Sequence, residues 1–139
     1  MRMNTITVLL AENHQMVREG LRTLLELEGD IEIVGEAKNG PQAVAFSRKA
    51  CPDVVIMDID MPLLNGLEAT RRILQAQPST KVLVLSVHRD DAYVERAMAF
   101  GASGYLAKPT AAHHLPMAIR EVHKGKTFVT WQSHLRKTP

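Results

Sequence analysis

Cysteine is almost missing from this chain: Cys51 stands alone among 139 residues. No intrachain disulfide can form, and a reducing, cytosolic setting fits. Cys51 precedes Pro52 at an expected helix end and reads as structural filler, not as a reactive thiol. No apolar run approaches the ~20 residues that span a bilayer. The start, Met1-Arg2-Met3-Asn4-Thr5, has neither a long apolar stretch nor a small-residue cleavage site, so a soluble cytoplasmic protein is expected. Charge of one sign is also scarce. A net charge of +2 is too weak to argue for nucleic-acid binding. Internal repeats and low-complexity tracts are absent. The six histidines, His14, His88, His113, His114, His123 and His134, show no metal-ligand spacing and read as surface or capping residues.

What is present is an ordinary globular composition, 45% hydrophobic and 23% charged, at a length that suits one domain able to stabilise itself without metal or disulfide. Ile6 to Ala11 is a near-continuous apolar run, read as a first buried strand with Glu12-Asn13-His14 at its carboxyl end. Val17, Leu21, Leu24 and Leu25 recur at helical spacing, with Asn13 as a plausible N-cap and Gly29-Asp30 as the stop. Ile31 to Ala37 alternates partly, as an edge or near-edge strand does. Asn39-Gly40-Pro41 opens a second helix, which Pro52 stops. Val54 to Asp58 is β-branched and unalternating, which suits a central parallel strand. Asn65-Gly66 leads into a third helix and Pro78-Ser79 ends it. Lys81 to Val87 is a fourth strand, and Asp90-Asp91 heads a fourth helix. Tyr105 to Ala107 is a short fifth strand, followed by a helix from about Ala112 to Lys124. Pro116 conflicts with that last helix: in a helix from Ala112 it falls in the second turn and removes a backbone donor, unless the helix starts later or bends there. Five strand–helix repeats with right-handed crossovers give a parallel sheet covered on both faces. The remainder, residues 126–139 with Trp131 and Leu135, is expected to begin a linker out of a domain spanning 1–125.

Four polar features fall at the carboxyl ends of four strands: Glu12-Asn13, Asp58, Ser86 and Lys108. In an open parallel sheet those ends share one side, where ligands bind. Each has a plain structural alternative: a turn former for Asp58, a helix cap for Asn13, a backbone-bonded hydroxyl for Ser86 and a solvated surface cation for Lys108. Together they suit phosphoryl transfer to a carboxylate. An aspartate is the nucleophile, Mg²⁺ on one or two carboxylates neutralises the incoming charge, and a lysine ammonium meets the phosphoryl oxygens. A hydroxyl donates to the group once it has arrived. The catalysis is mostly positioning and charge stabilisation.

The segments VLLAENH, DVVIMDIDMPLLNGLEATRRI, VLVLSV and GASGYLAKP, in this order and spacing, resemble the receiver domain of two-component response regulators over about residues 5–125. The resemblance implies a flavodoxin-like (βα)5 fold of strand order 2-1-3-4-5. It implies that Asp58 accepts the phosphoryl group, that Lys108 contacts it and that Ser86 and Tyr105 are the switch pair. Tyr105 also has a plain reading as core packing. Pro109 matches a position often preceded by a cis peptide. Metal ligands would be Glu12, Asn13, Asp58 and the backbone carbonyl of Asp60. Here the sequence departs from the family, whose usual pair is two acids. Asn13 brings no charge, so Mg²⁺ binding weaker than in a typical member is expected.

REGLRTLLE, IEIVGEA, GLEATRRI and GASGYLAK further resemble LuxR-type (NarL/FixJ) transcriptional regulators. That implies a sensor histidine kinase as phosphoryl donor and an absent C-terminal helix-turn-helix domain as reader of DNA. It allows a homodimer, and it implies no nucleic-acid or membrane contact by the receiver itself and no turnover of an external substrate. Two other classes stand beside it: a pseudo-receiver that signals without phosphate, favoured by Glu12-Asn13, and a metal-dependent phosphatase, for which no second nucleophile or general acid stands out.

Overall fold

The computed structural model describes residues 5–88 and 90–130. Readings that fall on Met1 to Asn4, Trp131, His134 and Leu135 lie outside the described residues. Six parallel strands form one sheet in the order β2-β1-β3-β4-β5-β6. They are β1 (Ile6–Ala11), β2 (Ile31–Ala37), β3 (Val54–Asp58), β4 (Lys81–Ser86), β5 (Gly104–Ala107) and β6 (Phe128–Val129). The helices are α1 (Gln15–Glu26), α2 (Gly40–Ala50), α3 (Gly66–Ala76), α4 (Asp91–Ala99) and α5 (Ala111–His123). The doubly wound architecture and the order of the first five strands match the expectation. The sixth strand does not. Phe128 and Val129 pair with Gly104 and Tyr105, so the sheet extends into the segment read as linker. A Cβ on Gly104 would lie 2.5 Å from the Phe128 carbonyl oxygen and 2.4 Å from Leu83; only glycine lets the added strand come this close.

The unalternating strands are central because helices cover both of their faces. Successive side chains leave a strand on opposite sides, and two cores result. Leu9, Val55, Met57, Val84 and Tyr105 pack with Ala43 of α2, Leu67 and Ile73 of α3, and Val94 and Ala97 of α4. Val8, Leu10, Ile56, Leu83 and Leu85 pack with Leu21 and Leu25 of α1, and Leu115, Ile119 and Val122 of α5. Each such aliphatic side chain contributes roughly 1.5–3 kcal/mol by leaving water, so both faces fix the register. The partly alternating β2 lies at the sheet edge, as its polar face requires.

Four local expectations need correction. α1 ends at Glu26 with Leu27 in a right-handed cap, three residues before Gly29, because an extra turn of chain precedes β2. Its N-cap is His14, not Asn13, and no side chain caps it. On its inner face the buried set is Arg18, Leu21 and Leu25, while Val17 is exposed. Pro116, by contrast, lies inside α5 in its second turn, as a start near Ala112 requires; the helix begins at Ala111 directly after a 3-10 turn over Lys108–Thr110. Among the described residues every peptide bond is trans, including that before Pro109. The caps of α2 and α3 form as read: Asn39 Oδ1 accepts from Gln42 N at 2.8 Å, and Asn65 Oδ1 from Glu68 N at 3.0 Å.

α3 begins hard against the end of β3. A Cβ on Gly66 would stand 2.1 Å from the Asp58 carbonyl oxygen, while Gly66 N donates to Ile59 O at 2.8 Å. Gly66→Ala must therefore push the loop off the strand end. A loss of about 3 kcal/mol is expected, read as a lower urea midpoint at unchanged slope.

Candidate functional site

The register brings the site together. Asp58 pairs with Leu85 of β4, Ser86 with Ala107 of β5, and Ala11 with Met57. The residues that follow β1 and β5 are Glu12 and Lys108, so all four polar features line the carboxyl edge of the sheet. Glu12 N donates to Ala37 O at 3.0 Å, and its carbonyl accepts from Arg18 Nη1 at 2.8 Å. Arg18, buried and also bonded to Glu36 at 3.1 Å, clamps the loop after β1. Its helical spacing in the sequence gave no sign of this, because Glu36 arrives from another strand.

Lys108 is the centre's cation. Its Nζ lies 3.1 Å from Glu12 Oε2 and 3.2 Å from Asp58 Oδ2. Both carboxylates are fully buried, and the lysine side chain is 11% exposed. Two buried negative charges thus share one ammonium. Asp58 Oδ1 accepts from Asp60 N at 3.1 Å. Asp58 Oδ2 has the lysine's charge but no hydrogen bond, and Glu12 Oε1 has no partner among the described residues. Burial pushes the Asp58 carboxyl above its ordinary range, and the Glu12 charge adds to this; Lys108 and the Asp60 amide act the other way.

Ser86 is buried, and its Oγ accepts from His88 N at 2.8 Å. Tyr105 is buried in the core, and its hydroxyl donates to the His88 carbonyl at 3.0 Å. Burial raises the Tyr105 phenol, with Ser86 opposing the shift. Asn13 is exposed and its side chain makes no hydrogen bond with a described residue. The Asp60 carboxylate turns to His88 Nε2, 3.0 Å away, and the His88 ring stacks on Tyr93 with centroids 4.2 Å apart.

Two histidines read as surface residues thus belong to this edge. His88 ties the loop after β4 to the loop after β3. His14 Nδ1 lies 3.0 Å from Glu12 Oε2 and 3.4 Å from Lys108 Nζ. One donor atom each from Glu12, His14 and Asp58 falls within 4.8 Å of the others. Sequence spacing hides this set, since Asp58 comes from a strand 44 positions after His14 in the numbering. The position of His14, two residues past an acid at a strand end, was the available signal.

A doubly wound parallel sheet that ends in a buried aspartate, an acid and a lysine defines the class. The chain belongs to the response regulator receiver domain family, whose model matches residues 8–120. It is 42% identical over 126 residues to the transcriptional regulatory protein DegU of Brevibacillus brevis, covering 91% of this chain and 53% of that protein. It is 41% identical over 124 residues to the response regulator UvrY of Escherichia coli K12, covering 89% and 57%. The crystal structure of a LuxR-family two-component response regulator from Aurantimonas sp. SI85-9A1 superposes with TM-score 0.88 at 32% identity, covering 96% of this chain and 94% of that one. The chain spans little more than half the length of these two curated relatives. Switching by phosphorylation is the general role of such domains, and receivers generally bind Mg²⁺ at an acidic site. The residues present fit a divalent cation, since Glu12 Oε1 and Asp58 Oδ2 are buried oxygens without a hydrogen bond among the described residues.

The raised carboxyl has a thermodynamic consequence. A carboxyl whose folded pKa exceeds its unfolded value binds its proton more tightly when folded. Stability is then greatest below the unfolded value of 3.8 and declines as pH rises through the elevated folded value. Asp58→Asn removes the penalty. In the presence of a chelator it is expected to raise the melting temperature at pH 7 by about 3 °C, the size of a 1 kcal/mol change in a domain of this length. The gain should shrink as pH falls towards 4. A gain that grows in acid contradicts this.

Proposed function

We propose that Asp58 takes a phosphoryl group from a sensor histidine kinase, and that the chain is the receiver of a LuxR-type transcriptional regulator. The observation that carries this reading is the contact of Lys108 Nζ with the Asp58 carboxylate at 3.2 Å. An ionised Asp58 oxygen attacks phosphorus. The new bond is O–P; the bond that breaks joins phosphorus to the donor imidazole nitrogen, which leaves with the electron pair. Lys108 exchanges its carboxylate contact for the phosphoryl oxygens and balances their charge. Ser86 turns its hydroxyl to the arriving group, releasing the His88 amide, and Tyr105 follows the loop. Mg²⁺, held by Glu12, Asp58, the Asp60 carbonyl and the Asn13 amide oxygen, supplies charge neutralisation when bound. Asn13 contributes no charge, so binding is weaker than in a typical member. No external substrate is turned over.

In the whole protein a C-terminal helix-turn-helix domain would follow residues 126–139 and bind DNA in the cytoplasm; dimerisation or release of that domain is the output. Support comes from the relatives, of which DegU of Brevibacillus brevis is a transcriptional regulatory protein. Among the described residues no helix is long and apolar enough to cross a membrane. A second reading, an interaction module that signals without phosphate, is favoured by Asn13, which brings no charge to the centre where the family has an acid. Incubation with acetyl phosphate and Mg²⁺, followed by intact-mass measurement, separates the two. One added phosphoryl group is expected, absent in Asp58→Ala; no addition at saturating donor and Mg²⁺ supports the second reading. Asn13→Asp should tighten Mg²⁺ about tenfold by calorimetry, as an added charged oxygen does at a hard-cation site; equal affinities refute the role given to Asn13.

A further inference from the structure

We infer that His14 is a nitrogen ligand of the cation centre, so that this receiver selects ions that accept imidazole, such as Mn²⁺ and Zn²⁺, over Mg²⁺. The inference shares its site with the phospho-acceptor reading but does not need phosphorylation to occur.

Three observations carry it. First, the donor atoms already converge on a cation. Glu12 Oε2, Asp58 Oδ2 and His14 Nδ1 surround Lys108 Nζ at 3.1, 3.2 and 3.4 Å. A divalent ion enters this cage when the flexible four-carbon lysine stem swings aside. Second, the cage is incompletely satisfied. Glu12 and Asp58 are wholly buried, yet among the described residues Glu12 Oε1 and Asp58 Oδ2 lack hydrogen bonds.

Third, His14 Nδ1 faces the same centre, 3.0 Å from Glu12 Oε2 and 3.4 Å from the Lys108 ammonium. One ring nitrogen cannot serve both neighbours: it donates to the carboxylate in one tautomer and offers a lone pair in the other. A metal in place of the ammonium would take that lone pair. The imidazole is held in place by its own backbone, because His14 N donates to the same Glu12 oxygen at 2.9 Å. Asn13, the neighbouring candidate ligand, is exposed and its side chain makes no bond to a described residue. Adding an imidazole nitrogen moves a site from the hard, all-oxygen kind that suits Mg²⁺ towards borderline ions.

The test uses the chain itself. Mg²⁺, Mn²⁺ and Zn²⁺ are titrated by calorimetry, with Asp58→Asn marking binding at other histidines. Co²⁺ absorption is recorded as a separate sign of nitrogen ligation. His14→Ala changes a side chain that is 60% exposed and should fold normally. It is expected to lower Mn²⁺ and Zn²⁺ affinity about tenfold, to leave Mg²⁺ within about twofold and to shift the Co²⁺ bands. Lys108→Ala should tighten all three ions by freeing the cage. An equal effect of His14→Ala on every ion, or no effect on any, overturns the inference. So does a Co²⁺ spectrum that His14→Ala leaves unchanged. If phosphoryl transfer fails while ion selectivity responds to His14, the phospho-acceptor reading falls and this inference stands; the reverse pattern removes only the inference.

Discussion

Two buried carboxylates sharing one ammonium are the constraint on which this site turns. Separate burial of Glu12 and Asp58 without a counter-charge would cost several kcal/mol for each ion. Lys108 offsets this only in part, because its single charge is split between two acids at 3.1 and 3.2 Å. Burial, and after it the Glu12 charge, therefore leave the Asp58 carboxyl above its ordinary range. A centre left this way gains by taking in further positive charge, whether from a metal ion or from relocation of the lysine towards an arriving anion. The same imbalance that weakens the resting protein therefore favours a change of state.

The fold makes such an arrangement tolerable by surrounding it with strands whose register cannot slip. Asp58, Ser86 and the Ala107-Lys108 junction stand at adjacent strand ends because β3, β4 and β5 pair continuously. Moving any of these strands by one residue would exchange its two faces and force its side chains into the opposite core, where they do not fit. Gly66 then lets α3 start directly behind Asp58, and Arg18 holds the loop of Glu12 from the opposite flank. Precision at the charges is thus supplied by packing that carries no charge.

This explains what could be read from the sequence and what could not. Unalternating apolar runs announce central strands, and the residue after each run must lie at the carboxyl edge; Glu12, Asp58, Ser86 and Lys108 followed from that rule alone. Histidines follow no such rule. His14 enters the site through a turn in which its own backbone amide bonds to Glu12, and His88 through a partner 28 residues earlier, Asp60. Asn13 matches a ligand position only by resemblance, and its side chain is exposed. The sixth strand was missed because Phe128-Val129 is too short to show periodicity, and its place depends on Gly104 having no side chain to exclude it. Tertiary closeness, not local pattern, decided every one of these cases.

His88 shows how the edge could report a change at its centre. Its amide donates to Ser86, its carbonyl accepts from Tyr105, its ring bonds to Asp60 and stacks on Tyr93. One residue therefore joins β4, β5, the loop after Asp58 and α4. If Ser86 gives its hydroxyl to a group on Asp58, the His88 amide loses its acceptor, and the Tyr105 hydroxyl loses a fixed carbonyl with it. A buried hydroxyl without a partner costs about 1–3 kcal/mol, enough to shift a two-state loop by one or two powers of ten. The ring contacts with Asp60 and Tyr93 oppose this release and stabilise the resting loop. Any output from this domain that passes through α4 must first overcome those two contacts.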